Sequence, residues 1–299
     1  MKSKLSSDNG KVSVIVPYFN DSEKVYRAYE SIKNQNVYKC EIIIVDDCSN
    51  DSQLIPKCIL SDPAVVYSRN AENKNAAYSR NFGVSISTGD YVAFLDADDF
   101  WKEDHLLQSI SHMRLNDVMF VYSNVIHCDN KGRERRRKVV DFKHYSKDIC
   151  DILLISAPQT NSFVCRKEVF KYISFDEKLR RHQDYQFFID ALEACFDVSY
   201  LDAYTSYHCN SHRTLKSRYN LNSAFEFWSK YENKIDRDLY ANYLWLSAYL
   251  SVKTNSDFDL VLNKLDSYLG VKLPNNIVGK VLVMLYFNAR YRIFKRIKK

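Results

Sequence analysis

The chain has 299 residues, of which 46% are hydrophobic, so it can bury a substantial core and is too apolar for extensive disorder. Its 43 basic and 37 acidic residues leave a net charge of +6, which suits a phosphate-bearing substrate or an anionic membrane surface but requires neither. No run approaches the roughly 18 uninterrupted apolar residues of a membrane-spanning helix. Residues 1–10 are polar, and we expect them to form a flexible N-terminus.

Eight cysteines are scattered along the chain without a CxxC pair or the spacing of a zinc site. Several lie in apolar segments, where a free thiol behaves as a small hydrophobic side chain. The first residues lack the pattern of a signal peptide. We therefore expect a cytoplasmic protein in a reducing compartment, without disulfides.

The first hundred residues alternate between apolar strands and helical patterns, which predicts a mostly parallel sheet built from βαβ units. Pro17 is expected to end the first strand, and Asn20 with Glu23 to form a capping box for the first helix. The predicted strands are Val12–Val16, Glu41–Val45, Ala64–Tyr67 and Tyr91–Leu95. The predicted helices run from Asn20 to about Gln35, over Gln53–Leu60 and over Asn75–Ser87.

Polar or acidic residues follow three of these strands, at 17–20, 46–49 and 96–99. Ligands of such sheets bind beyond the carboxyl ends of the strands, so the three clusters are expected to line one crevice. Carboxylates at the end of a buried strand are costly unless a cation lies beside them. A divalent metal held by Asp96 and Asp98 and facing a phosphate would be such a cation. The alternative is a turn in which one aspartate caps the next helix.

The second part of the chain carries two further features of interest. The basic run Arg133–Lys138 (RERRRK) is either a solvated face of a hairpin or a contact for an acceptor phosphate or a lipid headgroup. Asp184 falls in the first turn of a predicted helix, where a carboxylate can be a cap or a catalyst. The other predicted elements are a helix Asp104–Arg114, strands Val118–His127 and Ser162–Arg166, a short helix to Tyr172, and a strand pair Val198–Leu201 and Thr205–Cys209.

From about Lys216 the pattern becomes helical and rich in aromatic residues, which divides the chain into a domain at 11–215 and a C-terminal helical region at 216–299. The helices are predicted over Asn222–Glu232, Leu239–Lys253 and Asp257–Leu269. The tail, Ile277–Lys299, passes from apolar to strongly basic. It either lies in a membrane interface or docks on the core as a helix with a charged end.

Four segments in this order resemble the family 2 glycosyltransferases. They are VSVIVPYFN (Val12–Asn20), IIIVDDCSND (Ile42–Asp51), NKNAAYSRNFGVSISTGDYVAFLDADD (Asn73–Asp99) and HQDYQF (His182–Phe187). The resemblance covers about residues 11–213. It implies an α/β fold of the GT-A type, Rossmann-like, with a mostly parallel central sheet and helices on both faces. Two departures are Asn75, where the family often has glycine, and Gln183, where glutamate is more usual.

The resemblance implies an inverting transferase that moves a sugar from a nucleotide-diphosphate sugar, most simply a UDP-sugar, to an acceptor hydroxyl. Asp184 would be the catalytic base. Asp98 and Asp96 would hold Mg²⁺ or Mn²⁺ against the two phosphates, with His208 as a further metal or diphosphate contact. The implied nucleotide-sugar contacts are Pro17, Tyr18, Asn20, Asp47, Asn73, Arg80 and Asp96.

The resemblance also implies a glycan acceptor, linked to a lipid diphosphate, in O-antigen or capsule synthesis. The basic tail then predicts a peripheral contact with the inner face of the cytoplasmic membrane. An inactive GT-A domain that only binds nucleotide is one alternative. A nucleic-acid-binding protein is another, but an acidic crevice repels a phosphate backbone, so no nucleic acid is expected. A dinucleotide-binding oxidoreductase is disfavoured because no GxGxxG follows the first strand.

Overall fold

In a computed structural model of the chain, the described residues are 10–35, 39–50, 54–129, 131–144, 148–209, 221–255 and 257–286. The chain divides into two compact units, Met1–His212 and Arg213–Lys299. None of the described helices is both long and apolar enough to cross a membrane.

The first unit is organised around a sheet that contains nine strands among the described residues, in the order β3-β2-β1-β4-β8-β6-β9-β5, with β7 paired to β6. β1, β2, β3 and β4 are mutually parallel, whereas β8 runs antiparallel to β4 and β6. The strands are β1 (Val12–Tyr18), β2 (Cys40–Asp46), β3 (Val65–Arg69), β4 (Tyr91–Phe94), β5 (Phe100–Trp101), β6 (Phe120–Cys128), β7 (Glu134–Arg137), β8 (Val164–Arg166) and β9 (Val198–Cys209). The predicted α/β fold with a GT-A-type sheet is confirmed, and the sheet is mixed rather than mostly parallel, because four of the eight strand pairings in the described residues are antiparallel.

Helices cover the sheet of the first unit, and the second unit is helical in its described residues. The helices of the first unit are α1 (Val25–Lys33), α2 (Lys57–Leu60), α3 (Ala76–Ile86), α4 (His105–Leu115), α5 (Ile149–Ser156) and α6 (Gln183–Glu193). Short 3-10 helices lie at Phe142–His144, Thr160–Ser162, Lys167–Lys171 and, in the second unit, Glu232–Lys234. The second unit contains α7 (Leu221–Ser229), α8 (Arg237–Thr254), α9 (Phe258–Leu269) and helical residues 277–286.

The first strand continues through Pro17, where the sequence predicts its end. β4 pairs with β1 only as far as Phe94, opposite Ile15, while β2 pairs with β1 up to Tyr18. Beyond Ile15, β1 is therefore an edge on the β4 side. Proline is tolerated at such an edge because its missing N–H leaves no ladder bond unmade.

The predicted capping box at Asn20 is wrong. α1 begins only at Val25, and its N-cap residue, Lys24, makes no side-chain cap bond. Asn20 has a positive φ of 51°, and its side-chain oxygen accepts a hydrogen bond from the backbone N–H of Asn50 at 2.8 Å. A partner 30 residues away has replaced the local cap.

The buried strands alternate their side chains between two helical layers. Val12, Val14 and Val16 belong to a core cluster that includes residues of α1 and α4. Ile15 points to the opposite face, where α3 approaches so closely that a Cβ on Gly83 would lie 2.5 Å from Ile15 Cγ2. Glycine is therefore required for the packing of α3 on β1.

β9 is one strand of twelve residues, not the predicted pair of strands. Its register with β6 shifts around Asn124, so that Ser123 faces Leu201 but Asn124 faces Tyr204. The extra residues include Asp202, whose carboxylate accepts a hydrogen bond from Asn124 Nδ2 at 2.7 Å. This irregularity absorbs the polar break in the sequence without ending the strand.

Candidate active site

The acidic segment after β4 turns back on itself at the carboxyl end of the parallel strands. The N–H of Asp99 donates to the carbonyl of Asp96 at 2.9 Å, which closes the turn. Asp96 and Asp98 are half-buried, and Asp99 is buried completely. Arg27, on α1, donates to the carbonyl of Asp98 at 2.6 Å, a contact that the sequence did not predict.

Asp99 binds residues of β9 and of the 3-10 helix Thr160–Ser162. Its carboxylate accepts from Cys209 N at 2.7 Å and from Asn161 Nδ2 at 3.0 Å, and it lies 3.1 Å from His208 Nδ1. It does not cap the next helix, because α4 starts at His105 behind the N-cap Asp104. Asp99 therefore orients its neighbours, which rules out the helix cap for this aspartate.

His208 lies between this buried carboxylate and the open side of the site. Burial lowers the pKa of its imidazole, but the hydrogen bond with Asp99 and the charges of Asp99, Asp96 and Asp98 outweigh burial and raise it to about 8. Because Nδ1 faces Asp99, the ring presents Nε2 on its other edge, as in a histidine oriented by a carboxylate for a ligand.

Arg80 connects the acidic turn to the start of α6. Its NH2 group lies 2.6 Å from Asp96 Oδ1, and its NH1 group donates to Gln183 Oε1 at 2.7 Å. Arg80 is only 5% exposed, so the structure places its guanidinium under the site rather than at the surface of the crevice. Gln183 in turn donates to the carbonyl of Leu179 at 2.7 Å, so this partner of the guanidinium is itself held in place.

Asp184 follows Gln183 in the first turn of α6, and its carboxylate has an unusual proton affinity. Burial raises the pKa of Asp184 to about 6 from its usual 3.8, with the nearby charge of Arg80 acting in the opposite direction and that of Asp96 raising it further. The N–H of Tyr185 donates to Asp184 Oδ1 at 3.1 Å. A carboxylate with a pKa near neutrality suits general acid–base catalysis.

Asp47 organises the loop between β3 and α3. Its carboxylate accepts from Asn70 Nδ2 and from the backbone N–H groups of Lys74 and Asn75, at 2.8–2.9 Å. The side chain of Asn73 donates to the carbonyl of Asp47 at 3.1 Å. A carboxylate offers about four acceptor positions, so roughly one remains on Asp47 for a ligand.

The residues at the end of β1 do not all face the crevice in the same way. The ring of Tyr18 is buried in the core at 1% exposure, so this residue can reach a ligand only through its main chain. Pro17 and Asn20 are half-buried, and Asn20 N donates to Ser49 Oγ at 2.9 Å. Phe19 is 50% exposed between them, which makes it the aromatic ring at this strand end that a ligand could contact. Phe19 is not among the site residues that the sequence predicts.

In the parts of the chain that the structure describes, no three histidine, cysteine, aspartate or glutamate side chains form a group that could hold a metal ion. Magnesium is commonly held by one or two carboxylates together with substrate phosphates. The oxygen donors of Asp96 and Asp98 fit such a shared ion. His208 Nδ1 lies 3.1 Å from the carboxylate of Asp99, the residue that follows Asp98 in the acidic turn.

Comparison with known proteins gives the family. The chain belongs to glycosyl transferase family 2, whose model matches residues 13–174. It is 34% identical over 191 residues to the amylovoran biosynthesis glycosyltransferase AmsB of Erwinia amylovora, an alignment that covers 60% of this chain and 63% of AmsB.

A second relative and a solved structure extend this comparison. The chain is 36% identical over 115 residues to WfaP of Escherichia coli, named a UDP-Glc:alpha-D-GlcNAc-diphosphoundecaprenol beta-1,3-glucosyltransferase, covering 38% of this chain and 45% of WfaP. The chain thus spans less than two thirds of AmsB and of WfaP. The crystal structure of S. aureus TarS 1-349 in complex with UDP-GlcNAc is 19% identical and superposes with a TM-score of 0.58, covering 87% of this chain and 71% of TarS 1-349. At that identity the likeness concerns the fold.

Proposed function

We propose that this chain transfers a sugar from a nucleotide-diphosphate sugar, a UDP-sugar in the simplest case, to a hydroxyl of a lipid-diphosphate-linked glycan, with inversion at the anomeric carbon. The bridge from Asp96 through Arg80 to Gln183 carries the proposal. It fixes an acidic strand end, suited to a diphosphate and its metal, beside a carboxylate with a pKa near 6. A donor site and a base in fixed relation are what a single displacement requires.

Asp184 acts as the base of this reaction. As the acceptor hydroxyl attacks the anomeric carbon, its proton passes to the Asp184 carboxylate, and the bond from that carbon to the donor diphosphate breaks. The raised pKa of Asp184 makes the carboxylate a better proton acceptor than an ordinary aspartate while leaving it ionised at neutral pH. A single displacement needs no protein nucleophile.

The donor lies across the carboxyl ends of β1, β2 and β4. The remaining acceptor position of Asp47 takes the N–H of the base, while the main chain of Pro17 and Tyr18, together with Asn20 and Asn73, forms the walls around the nucleoside. Arg80 acts from below, by holding Asp96 toward the phosphates. The position of these residues at the carboxyl ends of the strands supports the assignments.

Asp98 and Asp96 would hold Mg²⁺ or Mn²⁺ together with the donor phosphates, and His208 would contact the same ion or the diphosphate. Such an ion supplies electrostatic stabilisation of the charge that grows on the leaving diphosphate. Asp99 keeps the imidazole of His208 in one orientation through the contact at 3.1 Å. Arg27 fixes the carbonyl of Asp98, which limits the movement of the turn.

A lipid-linked acceptor places the reaction at a membrane surface. The name of WfaP includes a diphosphoundecaprenol acceptor, and that of AmsB includes amylovoran biosynthesis, which supports surface-polysaccharide synthesis such as O-antigen or capsule for this chain. In the helical residues 277–286, Ile277, Val281 and Leu285 recur every fourth residue and are exposed. We place this helix in the interface of the inner face of the cytoplasmic membrane. The basic tail beyond it lies outside the described residues.

A screen of nucleotide sugars tests the proposal directly. In a thermal-shift experiment with Mn²⁺, a UDP-sugar should raise the melting temperature of the protein more than the same sugar without UDP does. The reason is that a ligand stabilises the folded state that binds it. The UDP-sugar that gives the largest shift is then incubated with the protein and a diphosphate-linked acceptor, and the release of UDP and the formation of product are measured. A chain that binds nucleotide sugar yet never forms product with any such acceptor would be a binding module, and the proposal would fall.

A further inference from the structure

The basic hairpin strand β7 brings two arginines onto the active-site face of the sheet. In the antiparallel pairing of β7 with β6, Arg135 lies opposite His127 and Arg137 opposite Val125. On the other edge of β6, His127 lies opposite His208 of β9. Directly opposed residues of neighbouring strands project from the same face. Arg135, His127 and His208 therefore form one line of side chains across three strands.

This line leads from the hairpin to the buried acid of the site. The rings of His127 and His208 pack edge to face with their centroids 5.2 Å apart. His208 Nδ1 lies 3.1 Å from Asp99 Oδ2. Arg136 projects from the opposite face of β7, where its guanidinium carbon lies 5.3 Å from the ring centroid of Tyr204.

The charges of both arginines act on His127, and that of Arg137 also acts on Tyr185. Burial lowers the pKa of His127 to about 4, and the charges of His208, Arg137 and Arg135 act in the same direction. Burial and the charge of Asp184 raise the pKa of Tyr185, and the charge of Arg137 opposes them. Arg137 is thus felt at the residue that directly follows the proposed base.

Arg135 and Arg137 are not paired with a carboxylate of the described residues, and the same holds for Arg136, which lies over the ring of Tyr204. Arg133, in the turn of the hairpin, is paired with the carboxylate of Asp129 at 2.6 Å. Two unpaired guanidiniums beside an active site are a favourable place for an anion of the substrate.

We propose that Arg135 and Arg137 bind the diphosphate of the acceptor, an inference that rests on the proposed function and adds a second phosphate-binding element to it. The donor diphosphate is assigned to Asp96 and Asp98, so a separate cationic pair serves a separate anion. A diphosphate diester carries two negative charges, which two guanidiniums match. Residues two apart on a strand lie about 7 Å from each other, so their planar forks can reach adjacent phosphate groups.

The test compares two double variants of the same hairpin with equal loss of charge. Arg135→Gln with Arg137→Gln removes the proposed site, and Arg133→Gln with Arg136→Gln is the control. Each is assayed with a sugar on a short alkyl diphosphate and with the same sugar as a neutral alkyl glycoside. For the first variant we expect KM for the diphosphate acceptor to rise about tenfold or more, with kcat and the neutral glycoside unchanged. The control should behave as the wild type.

Binding of the alkyl diphosphate alone, measured by calorimetry with UDP present to fill the donor site, gives a readout that needs no turnover. Weaker binding of the alkyl diphosphate to the first variant than to the wild type supports the phosphate site, whether or not the chain is a transferase. Failure of the transferase proposal would show separately, as the absence of product from the wild type. Arg135→Lys with Arg137→Lys keeps the charge and loses the fork, so an intermediate KM is expected.

Three results would overturn the inference. One is an unchanged KM for the diphosphate acceptor in the first variant. Another is an equal loss with the neutral glycoside, which would mean that the arginines support the site in general. The third is a defect confined to flotation with vesicles of anionic phospholipid, which would assign the arginines to lipid headgroups instead.

Discussion

Replacing Asp184 with asparagine removes the charge of the proposed base and keeps the shape of its side chain. The amide oxygen can still accept from the N–H of Tyr185, which donates to Asp184 Oδ1 at 3.1 Å. Transfer should therefore be abolished, while the affinity for the nucleotide, which we propose to bind at the strand ends and not at α6, stays nearly intact. The same substitution should make the protein more stable at neutral pH.

The magnitude of that stabilisation follows from the pKa of Asp184. Burial raises this pKa from 3.8 to about 6, so the folded state holds the proton more tightly than the unfolded state. Below the unfolded value both states are protonated and the side chain costs nothing. As the pH rises through about 6 the folded protein must carry a buried charge, at a cost of up to about 3 kcal/mol. Asparagine never acquires this charge.

The assay is urea denaturation of wild type and Asp184→Asn at about pH 5 and about pH 8, beside transfer and nucleotide-binding measurements. The stability gain should be larger at the higher pH, because the wild-type carboxylate is then fully ionised. Glu168→Gln, at an exposed position of the 3-10 helix Lys167–Lys171, is the control and should change neither quantity. In the wild type, kcat/KM should rise with pH through about 6 and then level off.

Two outcomes would refute the reasoning about Asp184. Undiminished turnover of the asparagine variant would remove this residue from the mechanism. A variant less stable than the wild type at the higher pH would mean that the ionised carboxylate is net stabilising in the folded protein. The first outcome concerns the reaction and the second concerns burial, so each can be read without the other.

Three further substitutions probe the support of the site. Arg80→Met leaves Asp96 and Gln183 without their shared anchor, and kcat should fall about a hundredfold through misplacement, with nucleotide affinity measured alongside. Asp98→Ala should lose the part of the donor affinity that depends on added Mn²⁺, and full wild-type activity in EDTA would contradict this. Gly83→Ala places a methyl group of α3 against Ile15 of β1 and should lower the free energy of unfolding by about 1–3 kcal/mol, as measured by urea denaturation. The control Ser85→Ala should leave the free energy of unfolding unchanged.

The sheet could be predicted because its strands are short apolar runs bounded by polar clusters. β1, β2 and β4 are buried along their length, and the pattern of fully apolar segments is what such strands require. The same logic placed Asp47 and Asp96 at strand ends. Family membership confirms the resemblance on which the roles of these residues were based, and the roles themselves stay predictions.

The parts that escaped prediction depend on partners distant in the sequence. Asn20 was expected to cap a helix but binds a residue 30 positions away, and Arg80 reaches Gln183 across 103 positions. The sequence predicted two strands where the structure has the single strand β9. The polar interruption that suggested a break is compensated in the structure by a hydrogen bond from Asn124 of β6. Local propensity carries no information about such contacts.

The contacts of Asp99 can form only late in the synthesis of the chain. Its partner Cys209 lies 110 residues later in the chain. At about 5–20 residues per second, a ribosome needs roughly 6–20 s to supply that partner after Asp99 has been added. A polypeptide ending at residue 174, where the family model stops, would contain the acidic turn but neither His208 nor Cys209. A fragment intended for nucleotide-binding studies should therefore extend beyond Cys209.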